Sequence, residues 1–196
     1  GFNLCMTGNC LDDHLRHGVI IENTYGSVLS GNMIEECNGF AVIMDRDCYG
    51  NTVSANVIAH NGGGIDLRDA HGCAIAANTL TIMKTHAVRV GPGSGRITIT
   101  GNNFSNSYIG AGGIKRRKND EAAAGLTLES TRDVVVSGNL FSSVKPKAVA
   151  LGKSDSQNIL FGDNVLIDVQ SDHKRFQAVG TLLEAPAEPA DTPPKP

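Results

Sequence analysis

Apolar residues recur along this chain at two nested periods. The shorter one is strict alternation, seen in Val19 and Ile21, Val42 and Met44, Ile65 and Leu67, Val88 and Val90, Leu126 and Leu128, and Val149 and Leu151. A period of two places one face of a strand inward and the other outward. The longer period is carried by asparagines: Asn9, Asn32, Asn56, Asn78, Asn102, Asn139 and Asn164, spaced 23, 24, 22, 24, 37 and 25 residues apart. Three residues before them stand Met6, Leu29, Val53, Ile75, Ile99, Val136 and Phe161, and two after them Leu11, Ile34, Ile58, Leu80, Phe104, Phe141 and Leu166. The residue just before is Gly8, Gly31, Ala55, Ala77, Gly101, Gly138 or Asp163, small in six of seven cases. Repeats of this length are units that cannot bury an apolar face alone and must stack.

Each repeat therefore holds about three short strands separated by tight turns, and stacking sets successive coils about 4.8 Å apart. The asparagine falls at a corner between two strands. Its tolerance of left-handed backbone and its amide, at once donor and acceptor, suit it to bond the same residue of the next coil. A small residue before it lets the corner fold tightly. The pattern predicts an all-β parallel solenoid of about seven coils.

Runs such as Gly64-Ile65-Asp66-Leu67 followed by Cys73-Ala-Ile75-Ala-Ala-Asn78-Thr-Leu80 resemble the right-handed single-stranded parallel β-helix of the pectate-lyase-like superfamily, and its carbohydrate-binding and sugar-hydrolase repeats in particular. The resemblance covers about residues 2–170. It implies a polysaccharide or oligosaccharide partner and an extracellular or periplasmic setting, but no single activity.

Composition narrows this further. The 196 residues fit one domain, and the net charge of −3 gives no reason to expect nucleic acid. No run of 18 apolar residues exists, so no membrane span is expected. The chain begins at Gly1 in mid-repeat, the expectation being the C-terminal part of a longer helix. The helix is expected over 1–170. The 37-residue spacing exceeds a regular 24 by 13, assigning an insertion to 110–123, with Lys115-Arg116-Arg117-Lys118 beside the first-strand sheet. An irregular cap is expected over 171–185 and a disordered Pro/Ala-rich tail over 186–196. Cys5, Cys10, Cys37, Cys48 and Cys73 lack metal-ligand spacing and read as buried free thiols. Tyr25, Tyr49 and His71 each lie seven before their asparagine and are expected to stack on one turn.

Candidate chemistry follows from aligning the first strands. One outward column reads Ile20, Ile43, Asp66, Arg89, Thr127 and Ala150, and the next Glu22, Asp45, Arg68, Gly91, Glu129 and Gly152. Charge gathers on Glu22, Asp45, Asp66, Arg68 and Arg89; the preceding turns add His60, Lys84 and His86, and Arg46 and Asp69 flank the strands. Asp12, Asp13 and His14, just past the first corner, read instead as a solvated turn.

Two mechanisms fit that patch. Asp45 and Asp66, as diagonal neighbours about 7–8 Å apart, fall in the roughly 6.5–9.5 Å window of an inverting glycosidase. Alternatively Arg68 and Arg89 clamp a uronate carboxylate, while Lys84, His60 or His86 abstracts the C5 proton for β-elimination or epimerisation. Leu67-Arg68-Asp69 and Val88-Arg89-Val90 resemble the arginine-bearing strands of β-helix alginate lyases; the lysine those enzymes carry one coil earlier is replaced here by Ile43-Met44-Asp45-Arg46. The catalytic candidates are Asp45, Asp66, Arg68 and Arg89, and the substrate-binding candidates Glu22, His60, Asp69, Lys84 and His86. No cofactor is expected, calcium on Asp45, Asp47, Asp66 and Asp69 being an alternative. The competing reading is a non-catalytic module whose charges merely compensate one another; zero Trp and three Tyr leave few aromatic partners for sugar faces.

Overall fold

The computed structural model describes residues 1–106, 124–152 and 156–175. The insertion at 110–123 and the segment beyond 175, including most of the expected cap and all of the tail, lie outside the described residues.

One coil shows how the others are built. Strands Gly63–Leu67, Ala74–Ala76 and Thr79–Thr81 follow one another, with a two-residue strand, Ala70–His71, at the first corner. Each main strand pairs in parallel with its counterparts in the coils before and after: Ile65 with Val42 and Val88, Ile75 with Val53 and Ile99, Leu80 with Ile58 and Phe104. Repetition gives a six-stranded first sheet, a nine-stranded second sheet that includes the corner strands, and a seven-stranded third sheet. This is the parallel β-helix that the periodicity predicts, with six full coils where the first sheet runs from Val19–Glu22 to Val149–Leu151 and part of a further one before it.

The core is the stack of inward residues. Met44, Leu67, Val90 and Leu128 are fully buried under the first sheet, and Leu29, Val53, Ile75, Ile99 and Val136 under the second. Beneath the third sheet Phe104 and Phe141 stack with centroids 4.5 Å apart. Register survives the 37-residue spacing: Arg89 pairs with Thr127 and Phe104 with Phe141.

The asparagines form the expected column. Asn56 Nδ2 donates to Asn78 Oδ1 (3.0 Å) and to the Leu29 carbonyl (3.0 Å), and the Asn56 backbone N–H reaches the same Asn78 oxygen at 3.0 Å. Equivalent side-chain bonds link Asn9, Asn32, Asn78, Asn102, Asn139 and Asn164. One detail differs from the sequence reading. The left-handed residue is not the asparagine but its predecessor: Gly31 (φ 68°), Ala55 (54°), Ala77 (55°), Gly101 (64°), Gly138 (65°) and Asp163 (55°). Backbone sign, not crowding, selects small residues there, since a Cβ on Gly8 meets nothing within 4 Å.

Two further expectations need correction. The ring stack consists of Phe2, Tyr25 and Tyr49, with centroids 5.6 and 4.8 Å apart. His71 keeps the backbone register with Tyr49, but its Nε2 sits 3.2 Å from Asp69 Oδ1. Of the five free thiols, Cys37, Cys48 and Cys73 are buried, and burial raises their pKa; Cys5 and Cys10 are exposed. No helix among the described residues is long and apolar enough to cross a membrane.

Candidate functional site

Asp66 is the centre of the charged patch. It sits in the middle of strand Gly63–Leu67, in register with Ile43 and Arg89, and faces outward. Outward does not mean solvated here. Asp66 is 2% exposed, Ile43 1% and Thr127 8%. A carboxylate so buried needs partners, and it has two. Its Oδ2 accepts Arg68 Nε at 2.7 Å and its Oδ1 accepts Arg89 Nη1 at 2.9 Å. Arg89 reaches forward as well, donating Nε (3.0 Å) and Nη2 (2.6 Å) to Glu129 Oε2. Arg68 Nη1 lies 3.9 Å from Asp45 Oδ2, an ion pair without a hydrogen bond. Parallel pairing thus produces an alternating chain, Asp45–Arg68–Asp66–Arg89–Glu129, across four neighbouring strands.

His86 lies two residues before strand Val88–Val90, with Nδ1 2.8 Å from Thr127 Oγ1. Burial pushes its pKa below the ordinary histidine value, the Arg89 guanidinium pushes the same way, and Glu129 and Asp66 oppose them. The shift favours the neutral imidazole. When Nδ1–H donates to Thr127, Nε2 holds the lone pair.

The structure brings together Asp45, Asp66, Arg68, Arg89 and His86, and leaves the other candidates at the margins. Glu22 meets Arg46 at 3.3 Å on the exposed rim. Asp69 turns to the corner, where Oδ2 accepts the Asp47 N–H at 2.8 Å. Lys84 is exposed, and its amine makes no ion pair among the described residues; His60 is half-buried in the turn before Gly63. Between Asp45 and Asp66, counted as paired carboxylates, stands the Arg68 guanidinium, and both oxygens of Asp66 accept from guanidiniums. No group of three or more His, Cys, Asp or Glu among the described residues converges to hold a metal; of the aspartates considered for calcium, Asp66 is held by two guanidiniums and Asp69 accepts the Asp47 N–H.

Glu129 and Thr127 belong to the cluster and were left out of the sequence-derived site. Both were already in the aligned columns. Charge density along the columns falls after Arg89, where the next coils read Thr and Ala; the reach of an arginine side chain across one coil is the signal that points to them.

A family model described as "Right handed beta helix region" matches residues 2–166. No curated protein matches the chain by sequence. Among solved structures, the periplasmic alginate epimerase AlgG is similar over 84% of this chain at 20% identity and TM-score 0.59. The mannuronan C-5 epimerase AlgE4 A-module of Azotobacter vinelandii is similar over 87% at 15% identity and TM-score 0.54. The enzymatically active domain of bacteriophage CBA120 tailspike protein 2 is similar over 87% at 10% identity and TM-score 0.53. The chain spans 40%, 55% and 34% of those three chains. At such identities the likeness is one of fold.

Proposed function

From a chain that belongs to the right-handed β-helix family, we propose a polysaccharide-processing role on a uronic-acid-containing glycan, which lies on the outer face of the six-stranded sheet. The observation that carries this reading is a pair of arginines locked on one buried carboxylate, with His86 on the neighbouring Thr127 hydroxyl. Asp66 fixes Arg68 through Nε alone, so the terminal nitrogens of Arg68 make no hydrogen bond among the described residues. Arg89 spends three of its N–H donors, one to Asp66 and two to Glu129, out of about five on a guanidinium. The donors that remain suit the planar carboxylate of a uronate.

With that carboxylate neutralised, the C5 proton becomes acidic enough for a neutral imidazole to remove. His86 Nε2 takes the proton, and the electron pair is delocalised onto the carboxylate. Delivery of a proton from water to the opposite face gives the C5 epimer; breaking of the C4–O bond, with the leaving oxygen taking up the proton held on His86, gives an unsaturated product. Solved proteins of the same fold include epimerases by name, which favours this branch over hydrolysis. A glycan substrate of this kind places the protein in the periplasm or outside the cell.

His86→Gln and Arg68→Ala test the centre. On a panel of acidic polysaccharides, His86→Gln lowers turnover about a hundredfold or more, and Arg68→Ala mainly raises KM. Proton exchange at C5, followed by NMR in heavy water, reports epimerisation, and ultraviolet absorbance of the unsaturated product reports lyase action. Activity that survives both changes puts the centre elsewhere. Absence of binding to every glycan of the panel at millimolar concentration favours the non-catalytic module, for which the internal charge compensation of the cluster is the supporting observation.

A further inference from the structure

Beside the first sheet, around the corner where its strands turn into the second, lies a cleft that the charged cluster does not use. Its volume is about 400 Å³, and its walls include His71, Gly93, Arg96, Ser130, Arg132 and Asp133. The pairing Gly95–Arg132 and Ile97–Val134 sets Arg96 opposite Asp133 on adjacent coils. Asp133 is the carboxylate of these walls, with Asp69 beside them, its Oδ1 3.2 Å from His71 Nε2, and both oxygens of Asp133 are occupied: Oδ1 accepts Asn158 Nδ2 at 2.7 Å and Oδ2 accepts Arg132 Nε at 3.0 Å. That bond leaves the terminal nitrogens of Arg132 without a hydrogen bond among the described residues, on a side chain 72% exposed. Arg96 is exposed and makes no ion pair or side-chain hydrogen bond among them. Two guanidiniums with free N–H donors thus border a concave space in which the oxygens of Asp133 are already taken.

We propose that this corner cleft is an anion subsite, which takes the carboxylate or sulfate of an acidic sugar between the forks of Arg96 and Arg132. Planar guanidiniums match such groups bidentately, which a cluster of lysines does not. Position supplies the second argument. Ser130 follows Glu129 directly, and Gly93 lies four residues after Arg89, so the cleft belongs to the same two coils as the end of the charged chain on the first sheet. An acidic oligosaccharide that runs along the sheet past Glu129 meets at this corner two guanidiniums with free N–H donors. Binding here depends on neither His86 nor Arg68, and stands even if the sheet performs no chemistry.

Two probes separate the sources of the anion. Amide shifts of Gly93, Ser94, Gly95 and Ser130 are followed by two-dimensional NMR during titration with sodium sulfate and, separately, with a hexasaccharide of mannuronic acid. The expected result is saturable movement of these amides with the hexasaccharide, weakened by NaCl at about 0.5 M. Arg96→Ala combined with Arg132→Gln weakens the apparent Kd at least about tenfold, whereas Arg68→Ala leaves the corner shifts in place. Saturation by sulfate alone also supports the subsite and identifies it as one for free anions. The proposal is overturned if neither probe moves these amides saturably, or if the movement persists in the double variant. Both arginines project from the surface, and an unchanged amide spectrum away from the corner confirms that the double variant is folded. Absence of activity of the unsubstituted protein on every acidic polysaccharide, with corner binding intact, counts against the proposed function alone.

Discussion

Asp66→Asn removes the one charge that answers two guanidiniums in a site 2% exposed. Breaking a buried pair from one side costs about 3–5 kcal/mol, whereas Glu22→Gln, on a rim pair with side chains 73% and 42% exposed, costs below about 1 kcal/mol. Urea unfolding of the two variants measures the contrast, and equal losses would show that Asp66 is not the anchor. His86 adds a pH dependence with a definite sign. Its folded pKa lies below the ordinary value of 6.5, so in the window between the two the unfolded chain binds a proton that the folded chain does not. Stability from this residue is whole above that window and is lost as pH falls through it. The wild type therefore loses more stability than His86→Gln between about pH 7.5 and about pH 5.5, read as urea midpoints. The columns of the site were legible in the sequence because strand register is a matter of counting. Which acids are catalytic was not legible: counting places Asp45 and Asp66 as neighbours but cannot say that the Arg68 side chain lies between them.

At the corners, the sequence pattern identified the asparagine column and misplaced its strain. Asn78 Oδ1 accepts two N–H groups of Asn56, and its Nδ2 donates to the Val53 carbonyl and to Asn102 Oδ1. Asn78→Ala leaves buried donors and acceptors unpaired on both sides, each worth about 1–3 kcal/mol, so the loss reaches about 3 kcal/mol or more, read from thermal or urea melts. Asn78→Asp separates the roles of the two halves of the amide, since it keeps the acceptor and loses the donor. The left-handed residue before the asparagine gives the opposite prediction. Ala77 holds φ 55° where four other coils use glycine. A left-handed Cβ costs about 1–2 kcal/mol, and the entropy of a new glycine returns about 0.5–1 kcal/mol. Ala77→Gly therefore stabilises by about 0.5 kcal/mol, and Gly101→Ala destabilises by a similar or larger amount. A loss of stability in Ala77→Gly would show that the corner is not strained by its side chain. A hydropathy pattern carries no sign of φ, which is why composition alone read these positions as merely small.

A stacked coil contacts only the coils before and after it, so stability is distributed along the axis and not pooled in one centre. That is also why so much of the fold was readable: one repeat, once understood, fixes the partner of every equivalent residue, and even the 37-residue interval returns Arg89 to Thr127 and Phe104 to Phe141. The conformation of an inserted segment has no such template, and neither do the surfaces that bury outward-facing Ile43. The same one-dimensional logic predicts graded protection. Strand Gly63–Leu67 is buried at every position, whereas Cys5–Thr7 and Val165–Ile167 are exposed at their outer two positions and only half-buried at the middle one. Amides of the central coils, from Phe40–Asp45 to Val88–Val90, exchange slowest, and protection declines toward Cys5–Thr7 and Val165–Ile167, whose strands are less buried. Hydrogen exchange resolved by residue measures the profile. A flat profile, with all coils opening at one rate, would mean that unfolding is global, and the candidate site on the central coils would then owe its order to the whole molecule and not to its immediate neighbours.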